Sequence, residues 1–109
     1  MTMTPQEEMQ AAEAARAAGN EGKARVCARR GAGWAVRGYY QRLKGQSWGG
    51  DAFHQLKVLR DDETQPPALR AAAGRLTTQV NHDHAMPFDD DVLADARMLI
   101  AAYAEPVVD

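Results

Sequence analysis

Residues 21–43, EGKARVCARRGAGWAVRGYYQRL, decide the fold. Ala24, Ala28, Gly31, Ala35 and Gly38 are spaced four, three, four, three. At about 100° per residue they form one narrow helical stripe without bulky side chains. Glycine costs a helix about 1 kcal/mol relative to alanine, and this segment carries Gly31, Gly33 and Gly38. Close approach of another helix backbone across the stripe is the simplest expected offset for that cost. The segment is therefore expected at the centre of a helical bundle or at a subunit contact. Cys27 and Trp34 extend the buried arc on one side, and Tyr39 extends it on the other.

The charges on the same helix are equally ordered. Lys23, Arg30, Arg37 and Lys44 recur every seven residues, a stripe that drifts only about 20° per step and lies opposite the small-residue seam. Arg25 and Arg29 add a second pair, and Arg42 completes the set. Seven basic residues and no acid lie between Lys23 and Gly50. The remaining segments carry all 15 acids, so the net charge of −2 is a partition between one basic helix and acidic surroundings. Lys23, Arg25, Arg29, Arg30, Arg37 and Lys44 are candidate ligands for an anion such as a nucleotide or RNA. The alternative is a solvated face neutralised by acids of the same bundle or of a second subunit, with Asp61 to Glu63 and Asp89 to Asp91 as the acidic candidates.

Composition supports an all-α chain. Of 109 residues 21 are alanine, the best helix former, while Leu, Ile, Val and Phe together number 17. That balance nearly excludes a β-sandwich. The length suits a single domain over residues 1–109. A lone cysteine, Cys27, permits no internal disulfide. No apolar run approaches the roughly 20 residues a bilayer requires, and the N-terminus lacks the regions of a signal peptide, so a cytoplasmic protein without membrane contact is expected.

Punctuation divides the rest. Residues 6–18 form a helix beginning after Pro5 and stopping at Gly19-Asn20. Residues 44–50, KGQSWGG, read as a loop, and Asp51 caps a short helix with Ala52, Phe53, Leu56 and Leu59 on or near one face. Pro66-Pro67 open a fourth helix whose apolar positions run from Leu69 to Val80. Asp89 is read as the N-cap of a fifth, with Val92, Leu93, Ala96, Leu99, Ile100 and Tyr103 at helical period and Pro106 as its stop. Five helices, four main and one short, imply an up-and-down bundle.

The segment from Ala11 to Tyr40, a helix, a Gly-Asn turn and the run GNEGKARVCARRGAGWAVRGYY, resembles the first two helices of HEPN domains, the nucleotide-binding helical domains of higher eukaryotes and prokaryotes. Asp51-Ala52-Phe53-His54-Gln55-Leu56 sits where that family often has a short His-Asp-Leu-type helix, and the helix from Asp89 sits where it has its closing helix. The resemblance implies a bundle of four main helices plus a short one, a homodimer, and nucleotide or RNA binding, often in toxin–antitoxin or defence systems. Some members are metal-independent ribonucleases using Arg-x(4 to 6)-His. One match occurs here, from Arg75 to His82 with six residues between. A histidine shuttling a proton from the 2′-hydroxyl and an arginine stabilising the phosphorane suit that chemistry. Leu76, however, stands where active members have a polar residue, and in the bland reading Arg75 pairs with an acid.

Three further motifs point mainly to structure. His82-Asp83-His84 with Asp89 to Asp91 offers metal-ligand types, but lacks helical i, i+4 geometry, and the aspartates suit a helix N-terminus; no metal and no cofactor are expected. Gly19-Asn20-Glu21-Gly22-Lys23 echoes a phosphate loop without its spacing or its hydroxyl, so it reads as a turn. Cys27 reads as a small buried residue. The sequence thus supports an anion-binding bundle, with a non-catalytic dimerisation or interaction module as its competitor and a ribonuclease using Arg75 and His82 behind both.

Overall fold

A computed structural model describes residues 3–44, 50–78 and 90–104, and they form five helices with no strand among them. Helix α1, Pro5–Ala17, opens with a capping box. The Glu7 N–H donates to Thr4 Oγ1 at 3.1 Å, and the Thr4 N–H donates to Glu7 Oε1 at 2.9 Å. It closes on Gly19, whose φ of 82° only glycine adopts at no steric penalty. There the Asn20 N–H reaches Ala15 O at 2.8 Å and the Gly19 N–H reaches Arg16 O at 3.0 Å. Asn20 also opens α2, Glu21–Lys44, by accepting the Lys23 N–H at 3.1 Å. The Gly-Asn segment is therefore an inter-helix turn in which the Lys23 amide is already satisfied.

Asp51 caps α3, Ala52–Asp61, through the His54 N–H at 2.8 Å. Pro67 begins α4, Pro67–Leu76, which stops short of the expected Val80. The Thr77 and Thr78 hydroxyls donate to Gly74 O at 2.9 and 2.8 Å, diverting last-turn carbonyls from further helix. Val80 lies outside the described residues. Helix α5, Val92–Tyr103, takes Asp91 as its N-cap instead of Asp89. Asp91 accepts the Leu93 N–H at 3.1 Å and both Arg16 Nη atoms at 2.9 and 3.0 Å, so α1 selects which of the consecutive aspartates starts the helix. Asp89 lies outside the described residues.

Helix α2 is central, packing on α1, α3 and α5, while α3 on α4, α4 on α5 and α5 on α1 complete the bundle. Leu56, Leu59, Leu93, Leu99 and Val36 fill the core between closely packed alanines, among them Ala12, Ala24, Ala28, Ala32, Ala72, Ala73 and Ala96 at 0% exposure. Two glycines set the close approaches. A Cβ at Gly31 would lie 3.0 Å from Pro5 O and 3.1 Å from Glu8 Cβ, and one at Gly33 would lie 2.5 Å from Ala52 Cα. The tightest contact is thus Gly33 against the start of α3. Gly38 takes no neighbouring helix: among the described residues a Cβ there meets only the Arg42 guanidinium, at 3.2 Å.

Three arginines satisfy carbonyls at the ends of neighbouring helices. Arg29 reaches Leu76 O at 3.0 Å, Arg42 reaches Tyr103 O at 2.7 Å and Arg70 reaches Arg60 O at 3.1 Å. Positive charge there complements the negative helix C-termini. At the same pole as Arg42, Tyr40 donates to Asp62 Oδ2 at 2.5 Å and Tyr103 donates to Gln65 Oε1 at 2.7 Å, tying the α3–α4 turn to α2 and α5. Among the described residues no helix is long and apolar enough to cross a membrane.

Candidate anion-binding site

Of the acids that the alternative reading offers as cover for the basic helix, Asp61, Asp62 and Asp91 have partners, one of them Tyr40 of α2 itself, and Asp89 lies outside the described residues. Arg60 holds Asp61 at 2.9 Å, Tyr40 and Thr64 hold Asp62, and Arg16 holds Asp91. The six candidate basic residues divide by what they touch. Arg30 pairs with Glu8 of α1 at 2.7 Å, and Arg25 lies 3.8 Å from Glu21 of its own helix. Arg37 stands over the Trp34 ring at 5.2 Å. Lys23 and Lys44 are exposed and make no ion pair with a described residue. The seven-residue stripe is therefore not one uniform surface, because Arg30 is partly neutralised at its middle.

A groove of about 240 Å³ opens where α2 meets the start of α3, lined by Val26, Arg29, Arg30, Trp34, Asp51, Ala52 and Phe53. Gly33 against Ala52 holds its two walls together. Arg29 stands 5.5 Å from the centre of the Phe53 ring, and Lys57 Nζ approaches the same ring at 4.6 Å. Burial, and then the neighbouring Arg25, lower the pKa of Arg29 from its ordinary value, yet a guanidinium keeps its charge at neutral pH. Cations beside half-buried rings match what a phosphate attached to a flat base requires.

Phe53 and Lys57 were not among the sequence candidates. Phe53 falls at the edge of the apolar arc of α3, and its exposure is intermediate where Ala52, Leu56 and Leu59 are buried. The i, i+4 spacing of Phe53 and Lys57 was the available signal, since that spacing places two residues on one helix face.

The second candidate constellation is only partly described. Arg75 forms a bidentate pair with Asp95, Nε to Oδ2 at 2.8 Å and Nη2 to Oδ1 at 2.9 Å. His82, its sequence partner, lies outside the described residues, as do Asp83, His84 and Asp89. Among the described residues no group of three or more His, Cys, Asp or Glu side chains gathers as a metal site would. Cys27 is buried, with Arg30 Nη2 at 3.6 Å from its sulfur. No family model, curated protein or solved structure matches the chain.

Proposed function

We propose that this bundle binds a nucleotide or RNA in the groove between α2 and α3. The observation that carries this reading is the convergence of Arg29 and Lys57 on the Phe53 ring, beside Arg30 and Trp34. Arg29, Arg30 and Lys57 supply the phosphate contacts, the Trp34 and Phe53 rings become stacking faces when the cations now over them turn to the phosphate, and Lys23, Arg25, Arg37 and Lys44 extend the positive field along α2. The resemblance of residues 11–40 to HEPN domains supports the same ligand class and adds the expectation of a homodimer.

Lys57 and Phe53 give the cleanest test, since Arg29 and Arg30 also serve the fold. Lys57→Gln and Phe53→Leu protein are titrated with a short labelled single-stranded RNA at several salt concentrations. Phe53→Leu is expected to weaken binding by about five-fold or more, as loss of one stacked base does. Lys57→Gln should reduce the salt slope by about 0.7. Unchanged affinity and slope in both variants would remove the groove as the site.

The competing reading, a helical interaction module, draws on Val26 and Leu43, which are 45% and 60% exposed on α2. It predicts that Leu43→Gln abolishes capture of a protein partner or self-association and leaves nucleotide affinity unchanged.

A further inference from the structure

Helix α5 is apolar almost all round. Its inner face packs on α1, α2 and α4, and its outward residues are Ala94, Arg97, Met98, Ala101 and Ala102, all exposed. Arg97 is the one charged residue among them. A helix at the surface of a bundle carries a polar outer face, so an outer face of alanine and methionine is that of a helix covered on both sides. Beside it a groove of about 370 Å³ runs between α5 and α1, lined by Met9, Ile100 and Ala101. The α1 rim is Gln6, Gln10 and Glu13, so Glu13 and Arg97 are the only charges among the described residues that line it. Arg97 Nη1 donates to Glu13 Oε1 at 2.8 Å, and both side chains remain about half exposed, 46% and 53%.

Those two charges decide what covers the face. A strongly acidic or strongly basic partner would be drawn to one member of the pair and repelled by the other. A second copy turned about a two-fold axis meets neither penalty, because an isologous contact matches residue i to j and j to i. Its Arg97 lies against Glu13 and its Glu13 against Arg97, so that four charges alternate beside the apolar faces of the two α5 helices. We propose that the α1–α5 face is the contact between two copies of this chain, with Arg97 of each reaching Glu13 of the other. This gives a face to the homodimer expected above. It does not rest on nucleotide binding in the α2–α3 groove, with which the face shares no lining residue.

Sedimentation equilibrium of wild-type and variant protein tests it. The wild-type chain is expected to reach the dimer mass within a concentration series ending at about 1 mM, where even a weak contact is populated. Ala101→Lys puts a good helix former with a charge suited to the last turn onto the apolar face, and should weaken association about ten-fold or more. Glu13→Arg and Arg97→Glu each place like charges on the face, and each alone should stay monomeric where the wild type dimerises. An equimolar mixture of these two should regain the dimer, because a basic face then meets an acidic one. Mixing cannot restore the pair lost within each chain, so recovery reads the contact between copies and not the fold, and circular dichroism verifies that every variant keeps its helices. A wild-type chain that stays monomeric throughout overturns the proposal and leaves the α2–α3 groove as it stands. Undiminished association of Ala101→Lys protein overturns it as well, as does a mixture that associates no better than either variant alone. Self-association lost in Leu43→Gln but kept in Ala101→Lys would also overturn it, by moving the contact to α2.

Discussion

Arg30 Nε lies 2.7 Å from Glu8 Oε2, and the two side chains differ sharply in exposure, 50% for the arginine and 5% for the glutamate. Gly31, the next residue, lets the backbone of α1 come close at Pro5 and Glu8. The approach that buries the Glu8 carboxylate thus places it beside the guanidinium that compensates it. Arg30→Ala leaves that carboxylate without its ion-pair partner. The expected loss is about 1 to 3 kcal/mol, below the roughly 3 to 5 of a fully buried pair because half of Arg30 is already in water. Urea unfolding measures it as a lower midpoint at unchanged slope. Adding Glu8→Gln should restore part of the loss, and failure to do so would show that the arginine acts through packing alone.

Two glycines in helix interiors should respond in opposite directions to alanine. At Gly33 the new Cβ would lie 2.5 Å from Ala52 Cα, backbone that α3 cannot easily move. Overpacking there outweighs the helix-propensity gain, for a net loss of about 1 to 2 kcal/mol. At Gly74 the nearest atom is Arg60 Cγ at 3.8 Å, ordinary van der Waals contact. Gly74→Ala should therefore stabilise by about 1 kcal/mol. Thermal unfolding of the two variants decides this, and equal shifts would mean that α3 yields where α2 meets it.

The pole built by Tyr40, Asp62, Gln65 and Tyr103 should set both ends of the pH profile. Hydrogen bonds from Thr64, and then from Tyr40, hold the Asp62 pKa down at about 2, below its ordinary 3.8. A depressed carboxylate stabilises the fold above its unfolded value, and this contribution is lost as pH falls from about 4 through 2. Burial pushes Tyr103 up to about 12 from its ordinary 10.0. Its neutral form is the folded one, so that contribution is complete below about pH 10 and is lost as pH rises towards 12. Asp62→Asn should flatten the acid limb and Tyr103→Phe the alkaline limb, both followed by unfolding midpoint against pH. An acid limb that stays as steep in Asp62→Asn would assign it to other carboxylates.

Local chemistry made most of the helix starts readable, while contacts between distant residues decided the rest. Pro5, Gly19, Asn20, Asp51 and Pro67 act on their own neighbours through fixed φ, positive φ or capping, and the structure uses each of them at a helix boundary. The choice of Asp91 as a cap depended on Arg16, 75 residues away, because consecutive aspartates are equivalent caps in isolation. The charge pattern of α2 was readable as a pattern, but its partition was not. Arg29 is drawn to Leu76 O across 47 residues and Arg30 to Glu8 across 22. Phe53 stayed hidden for a similar reason: a residue at the edge of an apolar arc turns inward or outward according to what the facing helix offers, here Arg29.

Arg75 and Asp95 test whether a readable motif is a structural tie. Arg75 lies in the last turn of α4 and Asp95 in the first turn of α5, so each charge also complements the helix end that carries it. Asp95 is 7% exposed at its side chain and Arg75 26%, so truncating the arginine leaves a nearly buried carboxylate. Arg75→Ala should cost about 3 kcal/mol, and Arg75→Lys, which keeps the charge but loses the two-pronged geometry, about 1 to 2 kcal/mol. A double-mutant cycle with Asp95→Asn should return a coupling of about 1 to 3 kcal/mol. A coupling near zero would mean that the pair does not tie the helices and that Arg75 is held for another purpose. RNA cleavage separates that purpose from stability, because an arginine serving a phosphorane must give up Asp95 to reach it. Activity lost in both Arg75→Lys and His82→Ala protein of intact fold would point to catalysis, whereas activity surviving in both would leave Arg75 as the clasp between α4 and α5.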